Sequence, residues 1–157
     1  RQGLDPDEVP TDRIRTALED AREQVKNQQG QVPAEVTPTM VDIAQSMVQR
    51  FLASALAERV QAARRVFAEH PISTADASDP VTVTRGVIDL VYEDDEGWHI
   101  VDYKTDRIGE GELPASIDGH EYADQVRQYA DAWADITGRP VADAALWFAD
   151  VDKTVSV

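Results

Sequence analysis

Apolar residues in the first half of the chain recur at helical spacing. Over residues 11–27 they lie three or four positions apart, which predicts an amphipathic helix. Thr37 and Pro38 are residue types favoured at a helix N-terminus, and they begin a second helical pattern that continues to Phe67 as one helix or two. Residues 1–68 are therefore predicted to form a helical extension of the segment that follows.

The second half of the chain changes to the period of two that is typical of strands. Pro71 and the polar stretch at residues 73–80 are predicted to separate the two halves as a loop. A further helix is predicted over residues 122–136, with Gly138 as its C-cap. The segments with strand character are residues 85–92, 98–104 and 141–151. The acidic, glycine-ended EDDEG between the first two predicts a hairpin turn.

Length and composition predict one soluble globular domain. With 157 residues and 42% hydrophobic content, the chain can bury one core. The sequence contains no membrane span and no secretory signal at its start, and it has no cysteine for a disulfide, a thiolate-bound zinc or a cysteine-ligated iron–sulfur cluster. A cytoplasmic location fits these features. Because the sequence begins at Arg1, we expect it to be a fragment of a longer protein.

The formal net charge of −15 argues at first against a nucleic-acid partner, since phosphates are contacted mainly by lysine and arginine. Only three of the 15 basic residues are lysines. An acidic surface with few lysines is what we expect of a halophile protein that folds at high salt, where repulsion between surface charges is screened. The alternative is that the basic DNA-binding surface lies elsewhere in a larger chain.

The strand-like segments bring three charged side chains together. Asp102 and Lys104 are two residues apart, so both side chains leave the same face of the sheet. If the hairpin is symmetric, Glu93 lies opposite Trp98. Asp89 then lies opposite Asp102, with Cβ atoms about 4.5–5.5 Å apart. Like charges at this distance are destabilising, so a compensating cation is expected.

Two interpretations of these charges stay open. A divalent ion such as Mg²⁺ would take oxygen ligands from Asp89 and Asp102, which is the arrangement needed to polarise a phosphodiester and activate a water. Lys104 would then be a positive charge close to the reacting phosphate. Alternatively, the three side chains form a buried ion-pair network without a metal.

Two motifs resemble a known family. The run GVIDLVYEDDEGWHIVDYKTD, residues 86–106, resembles the G-x-[IV]-D…[IV]-D-Y-K-T signature of RecB/AddA-type nuclease domains in the PD-(D/E)XK superfamily. QVRQY, residues 125–129, resembles the Q-x-x-x-Y element that follows it, and the resemblance covers roughly residues 69–148. It implies an α/β, restriction-endonuclease-like core over residues 69–157, in which a mixed central sheet of four or five strands is flanked by helices, with residues 1–68 as the helical extension.

The resemblance also implies roles for particular residues. Asp89 and Asp102 would be metal ligands, the Tyr103 carbonyl a third ligand, and Lys104 the catalytic lysine. The residues that it places along the wall of the site, to contact DNA or orient the lysine, are Thr105, Gln125 and Tyr129. Tyr129 has the alternative interpretation of a core aromatic on an apolar stripe.

Two positions relate less directly to the family pattern. Glu69, in AEHP, resembles the acidic residue that such domains carry just before a proline and the first strand, although it can equally be a plain carboxylate at a helix end. Related domains often have a metal-binding histidine on an upstream helix, and the chain has no histidine before His70. His70, His99 and His120 occur in other contexts. We therefore expect the helix with the histidine to precede Arg1, and this segment alone to bind metal incompletely.

The resemblance further implies a biological setting. A domain of this kind is a DNA nuclease, with Mg²⁺ or Mn²⁺ as cofactor, at the C-terminus of a UvrD/Rep-like helicase that degrades DNA ends in double-strand-break repair and recombination. ATP would be bound only in the helicase part, since this segment has no GxxxxGK[ST] phosphate loop. The expected partners are DNA, helicase domains of the same full-length chain and a partner subunit, with no membrane.

Other functions stay open at this point. The chain could be a non-catalytic DNA-binding or scaffolding module that keeps the fold, or a nuclease that acts on RNA or on particular DNA structures. The lack of cysteine separates it from relatives whose nuclease domain holds an iron–sulfur cluster, such as those of the AddB-like kind.

Overall fold

The computed structural model describes residues 9–29, 34–75, 83–105 and 121–157. The chain divides into two compact units, Arg1–Ala57 and Glu58–Val157. Within the described residues, no helix is long and apolar enough to cross a membrane.

The first unit is helical. Helix α1 (Thr11–Gln29) packs against helix α2 (Pro38–Ala53), and Ile14 and Val41 are buried. The Thr37 hydroxyl accepts a 3.3 Å hydrogen bond from the Met40 N–H and so caps α2. The first two predicted helical patterns are thus confirmed as helices.

Helix α3 (Ala55–Ala62) ends earlier than the apolar pattern suggested. The Arg64 N–H donates to the Glu93 carbonyl at 2.7 Å, and strand β1 (Arg65–Ala75) begins there. The prediction of helix as far as Phe67 was therefore wrong, as was the prediction that Ser73 begins a loop. β1 is an edge strand, which is where a sheet tolerates a proline such as Pro71.

The second unit is built on one mixed sheet with the strand order β1-β2-β3-β4-β5. Its further elements, in chain order, are β2 (Val83–Glu93), β3 (Trp98–Lys104), α4 (Glu121–Thr137), β4 (Val141–Phe148) and β5 (Lys153–Ser156). Strands β1, β2 and β3 are antiparallel neighbours, β3 and β4 are parallel, and β5 returns antiparallel to β4. The parallel pair requires a crossover, and α4 lies within it. The predicted α/β class with a mixed sheet and helices is confirmed.

Helix α4 packs on the sheet, against β4, β3 and β1. It contributes Val126, Tyr129 and Trp133 to the main buried cluster, which also contains Ile100 and Leu146 from the sheet. Gly138 ends α4 in the left-handed region (φ 67°), and its N–H donates to the Ala134 carbonyl, as the C-cap prediction required. The single final strand predicted over residues 141–151 is instead two strands, separated by a turn.

Candidate active site

The strand registers place three carboxylates in one row across β1, β2 and β3. The ladder between β2 and β3 runs from Glu93 opposite Trp98 to Leu90 opposite Val101, so Asp89 and Asp102 are the next positions along the two strands. In the ladder between β1 and β2, the residues on either side of Glu69 pair with those on either side of Asp89. The row is therefore Glu69, Asp89 and Asp102, and Glu69 lies inside β1 rather than before it.

The alternation of side chains is interrupted at this row. Phe67 and His70 are three residues apart in β1, yet both rings contact Trp133, with centroids 5.8 and 5.2 Å away. In β2, Ile88 and Val91 are also three residues apart and belong to one buried cluster. In a regular strand, residues three apart point to opposite faces.

Backbone conformation shows where the interruption falls in β1. Glu69 has φ 50°, a left-handed value that is uncommon for a residue with a side chain. Strain of this kind concentrates at functional sites. The consequence in β2 is that Asp89 no longer has to point to either face, and its Oδ2 accepts the Tyr103 N–H at 2.8 Å between the two strands.

The charge of Asp89 is not fully compensated by its surroundings. Burial raises the pKa of the Asp89 carboxyl, and the Tyr103 N–H lowers it. The negative charges of Asp102 and Glu69 raise this pKa further, while Lys104 lowers it, and the net result is a pKa above the usual value. An added cation beside Asp89 would stabilise its carboxylate form.

Asp102 and Lys104 share one face of β3, as their spacing predicted. Lys104 Nζ lies 2.6 Å from Asp102 Oδ2, and the lysine side chain is only 12% exposed. The ammonium also lies 3.9 Å from the centroid of the Tyr122 ring, in the first turn of α4. Thr105 follows directly after β3 and is exposed.

Gln125 and Tyr129 are one turn apart on α4, and Gln125 Nε2 donates to Tyr129 Oη at 2.9 Å. Tyr129 is buried within the main cluster, so its ring has a packing role whatever else it does. A Cβ at Gly86 would lie 2.6 Å from Tyr129 Oη and 2.7 Å from Cε1. Real carbon contacts are longer, so the glycine of the G-x-I-D motif is what allows the ring to approach β2.

The oxygen atoms at the row fit a hard divalent cation. Asp102 Oδ2 is buried and makes no hydrogen bond of good geometry in the described part of the chain, while Asp89 is charged at a cost. Mg²⁺ and Mn²⁺ favour all-oxygen ligand sets of this kind. A backbone carbonyl such as that of Tyr103 would extend the set beyond the two aspartates.

A different acidic cluster does converge tightly. In the part of the chain that the structure describes, the ligand atoms of Asp94, Glu96 and His99 all lie within 4.8 Å of one another. They belong to the β2–β3 hairpin and its start, and Arg59 already pairs with Asp94 at 3.1 Å and with Glu96 at 3.2 Å. Because a guanidinium occupies the carboxylates, the cluster is a charge-neutralised clamp on the hairpin.

Hydrogen bonds dominate the titration of this clamp. Burial raises the pKa of the Asp94 carboxyl, but hydrogen bonds from His99, the Glu96 N–H and Arg59 outweigh burial and lower it to about 2. Sequence reasoning assigned the EDDEG segment only a turn and missed the clamp. The signal available was His99, which alternates away from Asp102 and has Asp94 five residues before it.

The two described histidines do not add a ligand to the row. His70 stacks edge-on against Phe67 and Trp133, and His99 lies in the hairpin clamp. His120 falls outside the described residues.

The fold and the row together define a class. A mixed sheet whose antiparallel strands carry D…D-x-K, with a helix crossing over to a parallel strand, is the restriction-endonuclease-like arrangement. The family model described as the PD-(D/E)XK nuclease superfamily matches residues 2–156, and the chain belongs to that superfamily.

Several curated proteins are similar to this chain, and three of them are named as a subunit of an ATP-dependent helicase/nuclease. The protein from Carboxydothermus hydrogenoformans is 32% identical over 120 residues, which are 70% of this chain and 10% of that protein. Those from Lysinibacillus sphaericus and Anoxybacillus flavithermus are 34% and 32% identical over 116 and 131 residues, covering 69% and 82% of this chain and 9% and 11% of their own. The chain thus spans about a tenth of the length of these relatives. Protein VC1899 from Vibrio cholerae, a solved structure, aligns over 85% of this chain and 39% of its own at 12% identity with a TM-score of 0.31, which is too low to inform the fold.

Proposed function

We propose that this chain is a divalent-metal-dependent DNA nuclease domain, the exonuclease module of an ATP-dependent helicase–nuclease that acts in double-strand-break repair and recombination. The observation that carries the proposal is the row of Glu69, Asp89 and Asp102 beside Lys104, at an interruption of two strands. The relatives' names support the helicase–nuclease parent.

In this proposal, Asp89, Asp102 and the Tyr103 carbonyl hold Mg²⁺ or Mn²⁺. When bound, such an ion supplies positive charge that polarises the phosphodiester and promotes ionisation of the attacking water. Glu69 lies at the exposed end of the row, where a carboxylate can orient a water or complete the ligand set. The Tyr103 N–H, by holding Asp89 Oδ2, leaves Asp89 Oδ1 to face the ion.

The side chains around the row bind and orient the substrate. Lys104 places a positive charge where negative charge develops on the phosphate, in a site with little solvent. Gln125 is exposed while its amide is held by Tyr129, so it can contact the DNA from a defined position, and Thr105 lies at the open end of β3.

A second candidate is a non-catalytic DNA-binding or scaffolding module. The 2.6 Å ion pair between Lys104 and Asp102 favours it, because this pair compensates one carboxylate without a metal. It leaves Asp89 without an equivalent partner among the described residues, which is why the nuclease is the better supported candidate.

The remaining parts of the activity belong to the longer parent protein. Helicase domains in the same chain would bind ATP, a partner subunit would complete the assembly, and the whole would act on DNA in the cytoplasm. A further helical segment before Arg1 would supply the upstream histidine ligand. On this view residues 1–68 extend a nuclease core formed by residues 69–157.

Calorimetric titration with Mg²⁺ and Mn²⁺ tests the metal site. The chain should be compared with a version extended N-terminally by one more helical segment, each as wild type and as Asp89→Asn. Asp135→Asn, at an exposed position on α4, is the matched control for the loss of one charge. Binding that disappears only in Asp89→Asn and strengthens in the longer version supports the site, whereas no binding in either version favours the non-catalytic module.

Cleavage of labelled single- and double-stranded DNA tests the chemistry. Asp102→Ala and Lys104→Ala should abolish Mg²⁺-dependent cleavage while the circular dichroism spectrum stays that of the wild type. Lys153→Ala removes a lysine from the exposed strand β5 and should cleave normally. Retained cleavage in either site variant would refute the assignment.

A further inference from the structure

Tyr122 contacts the proposed catalytic lysine from outside the family motifs. It lies in the first turn of α4, and its ring centroid is 3.9 Å from Lys104 Nζ. The same ammonium is 2.6 Å from Asp102 Oδ2. Lys104 therefore has two partners of different kinds, a carboxylate and an aromatic face, and its side chain is 12% exposed.

These two partners respond differently to a cation at the row. A divalent ion bound by Asp102 shares the charge of its carboxylate and repels the nearby ammonium, so the attraction between Asp102 and Lys104 weakens. Lysine has a flexible four-carbon stem and a strongly hydrated head, and without another partner it would turn toward water. The negative face of the Tyr122 ring does not depend on the ion.

We infer that Tyr122 is a positioning residue that holds the Lys104 ammonium in the site when a divalent cation occupies Asp102. The inference rests on the proposed nuclease function and extends it. The ring face holds the cation, and the tyrosine hydroxyl is not required for this contact. Tyr122 is 39% exposed, so it adds little to the core and can be replaced without opening a buried cavity.

The expected size follows from the type of contact. A cation over an aromatic face is worth about 1 kcal/mol when partly exposed and about 2 kcal/mol when desolvated, which corresponds to roughly 5- to 30-fold in a rate that depends on the lysine's position.

Two variants separate the ring face from the rest of the side chain. Tyr122→Phe keeps the face and loses the hydroxyl, whereas Tyr122→Leu keeps an apolar, helix-favouring side chain and loses the face. In single-turnover DNA cleavage at saturating Mg²⁺, the leucine variant should be about 5- to 30-fold slower and the phenylalanine variant within about twofold of wild type. The calorimetric Mg²⁺ affinity should be unchanged in both, because no metal ligand is altered.

A readout without catalysis uses the small number of lysines. The chain has three, Lys26, Lys104 and Lys153, so the side-chain signals of ¹³C-labelled lysine can be assigned with the Lys104→Ala variant. In the Mg²⁺-loaded protein, the Lys104 Cε protons should be shifted upfield by the ring in wild type and Tyr122→Phe, and unshifted in Tyr122→Leu.

The outcomes of the two measurements can be told apart. If wild type shows no Mg²⁺-dependent cleavage, the proposed function fails, and the lysine spectrum of the Mg²⁺-exposed protein still decides whether the ring holds Lys104. If wild type cleaves and Tyr122→Leu cleaves equally fast, or if the upfield shift is lost when Mg²⁺ binds, the positioning role of Tyr122 is refuted.

Discussion

Substitution of Gly86 by alanine gives a sharp test of how the two sequence motifs meet in space. The added Cβ would lie 2.6 Å from Tyr129 Oη, 2.7 Å from Cε1 and 3.0 Å from Cζ. Ordinary contact requires more than 3.4 Å, so either the ring or β2 must move by most of an ångström. Tyr129 is packed within the main buried cluster and bonded to Gln125, which prevents the ring from moving freely.

The magnitude is the balance of two effects. Overpacking a buried site costs about 1–3 kcal/mol, while replacing glycine by alanine in a strand recovers roughly 0.5–1 kcal/mol of conformational entropy. The net loss expected for Gly86→Ala is therefore about 1–2 kcal/mol, and for a protein of this size the thermal midpoint should fall by about 2–8 °C. Urea unfolding followed by tryptophan fluorescence measures the free energy directly.

A double-mutant cycle identifies the cause. Tyr129→Ala removes the ring, so Gly86→Ala should then be tolerated, and the double variant should be more stable than the sum of the two single changes by about 1–3 kcal/mol. Gly138→Ala is the control, because a Cβ there meets no atom within 4 Å and its cost comes from the left-handed backbone alone. It should not couple to Tyr129→Ala. Additive free energies for Gly86→Ala and Tyr129→Ala would refute the proposed contact.

Three further predictions concern charge. Asp94→Asn should destabilise the protein near neutral pH by up to about 2 kcal/mol, and the difference should vanish as the pH falls from about 4 to about 2, because the folded-state pKa of Asp94 is lowered to about 2 and the advantage of its charged form is lost on protonation; a difference in urea unfolding that does not change with pH would contradict this. Buried Glu93 pairs with both Arg65 and Arg139, so Arg139→Gln alone should be more destabilising than Arg139→Gln combined with Glu93→Gln, since the double variant leaves no partly compensated buried charge; equal free energies of unfolding would count against that view. With a net charge of −15, the thermal midpoint should rise between low and molar KCl if the surface is adapted to salt, and a flat response in scanning calorimetry would remove that hypothesis.

Much of the candidate site could be derived from the order of residues along the chain. A short hairpin turn sets the register of both its strands, so EDDEG was sufficient to place Glu93 opposite Trp98, and the structure confirms that pairing. The period of two places Asp102 and Lys104 on one face, and their 2.6 Å ion pair agrees with it. These are local relations, which neighbouring residues determine with little help from the rest of the fold.

Other features depended on which segments meet in space. The apolar run up to Phe67 fits either a helix or a strand, and pairing with β2 decides for the strand. That pairing puts Glu69 into the row and reveals the interruption that turns Asp89 toward Tyr103.

The contacts of α4 are the clearest case of tertiary determination. Its apolar spacing predicted a helix, but only its crossing over the sheet brings Tyr129 against Gly86 and Tyr122 against Lys104. The sequence by itself thus determined the chemistry carried by the hairpin, because turn geometry and side-chain alternation act over a few residues. The tertiary structure decided which distant side chains hold those groups in place, because such contacts depend on the packing of elements far apart in the chain.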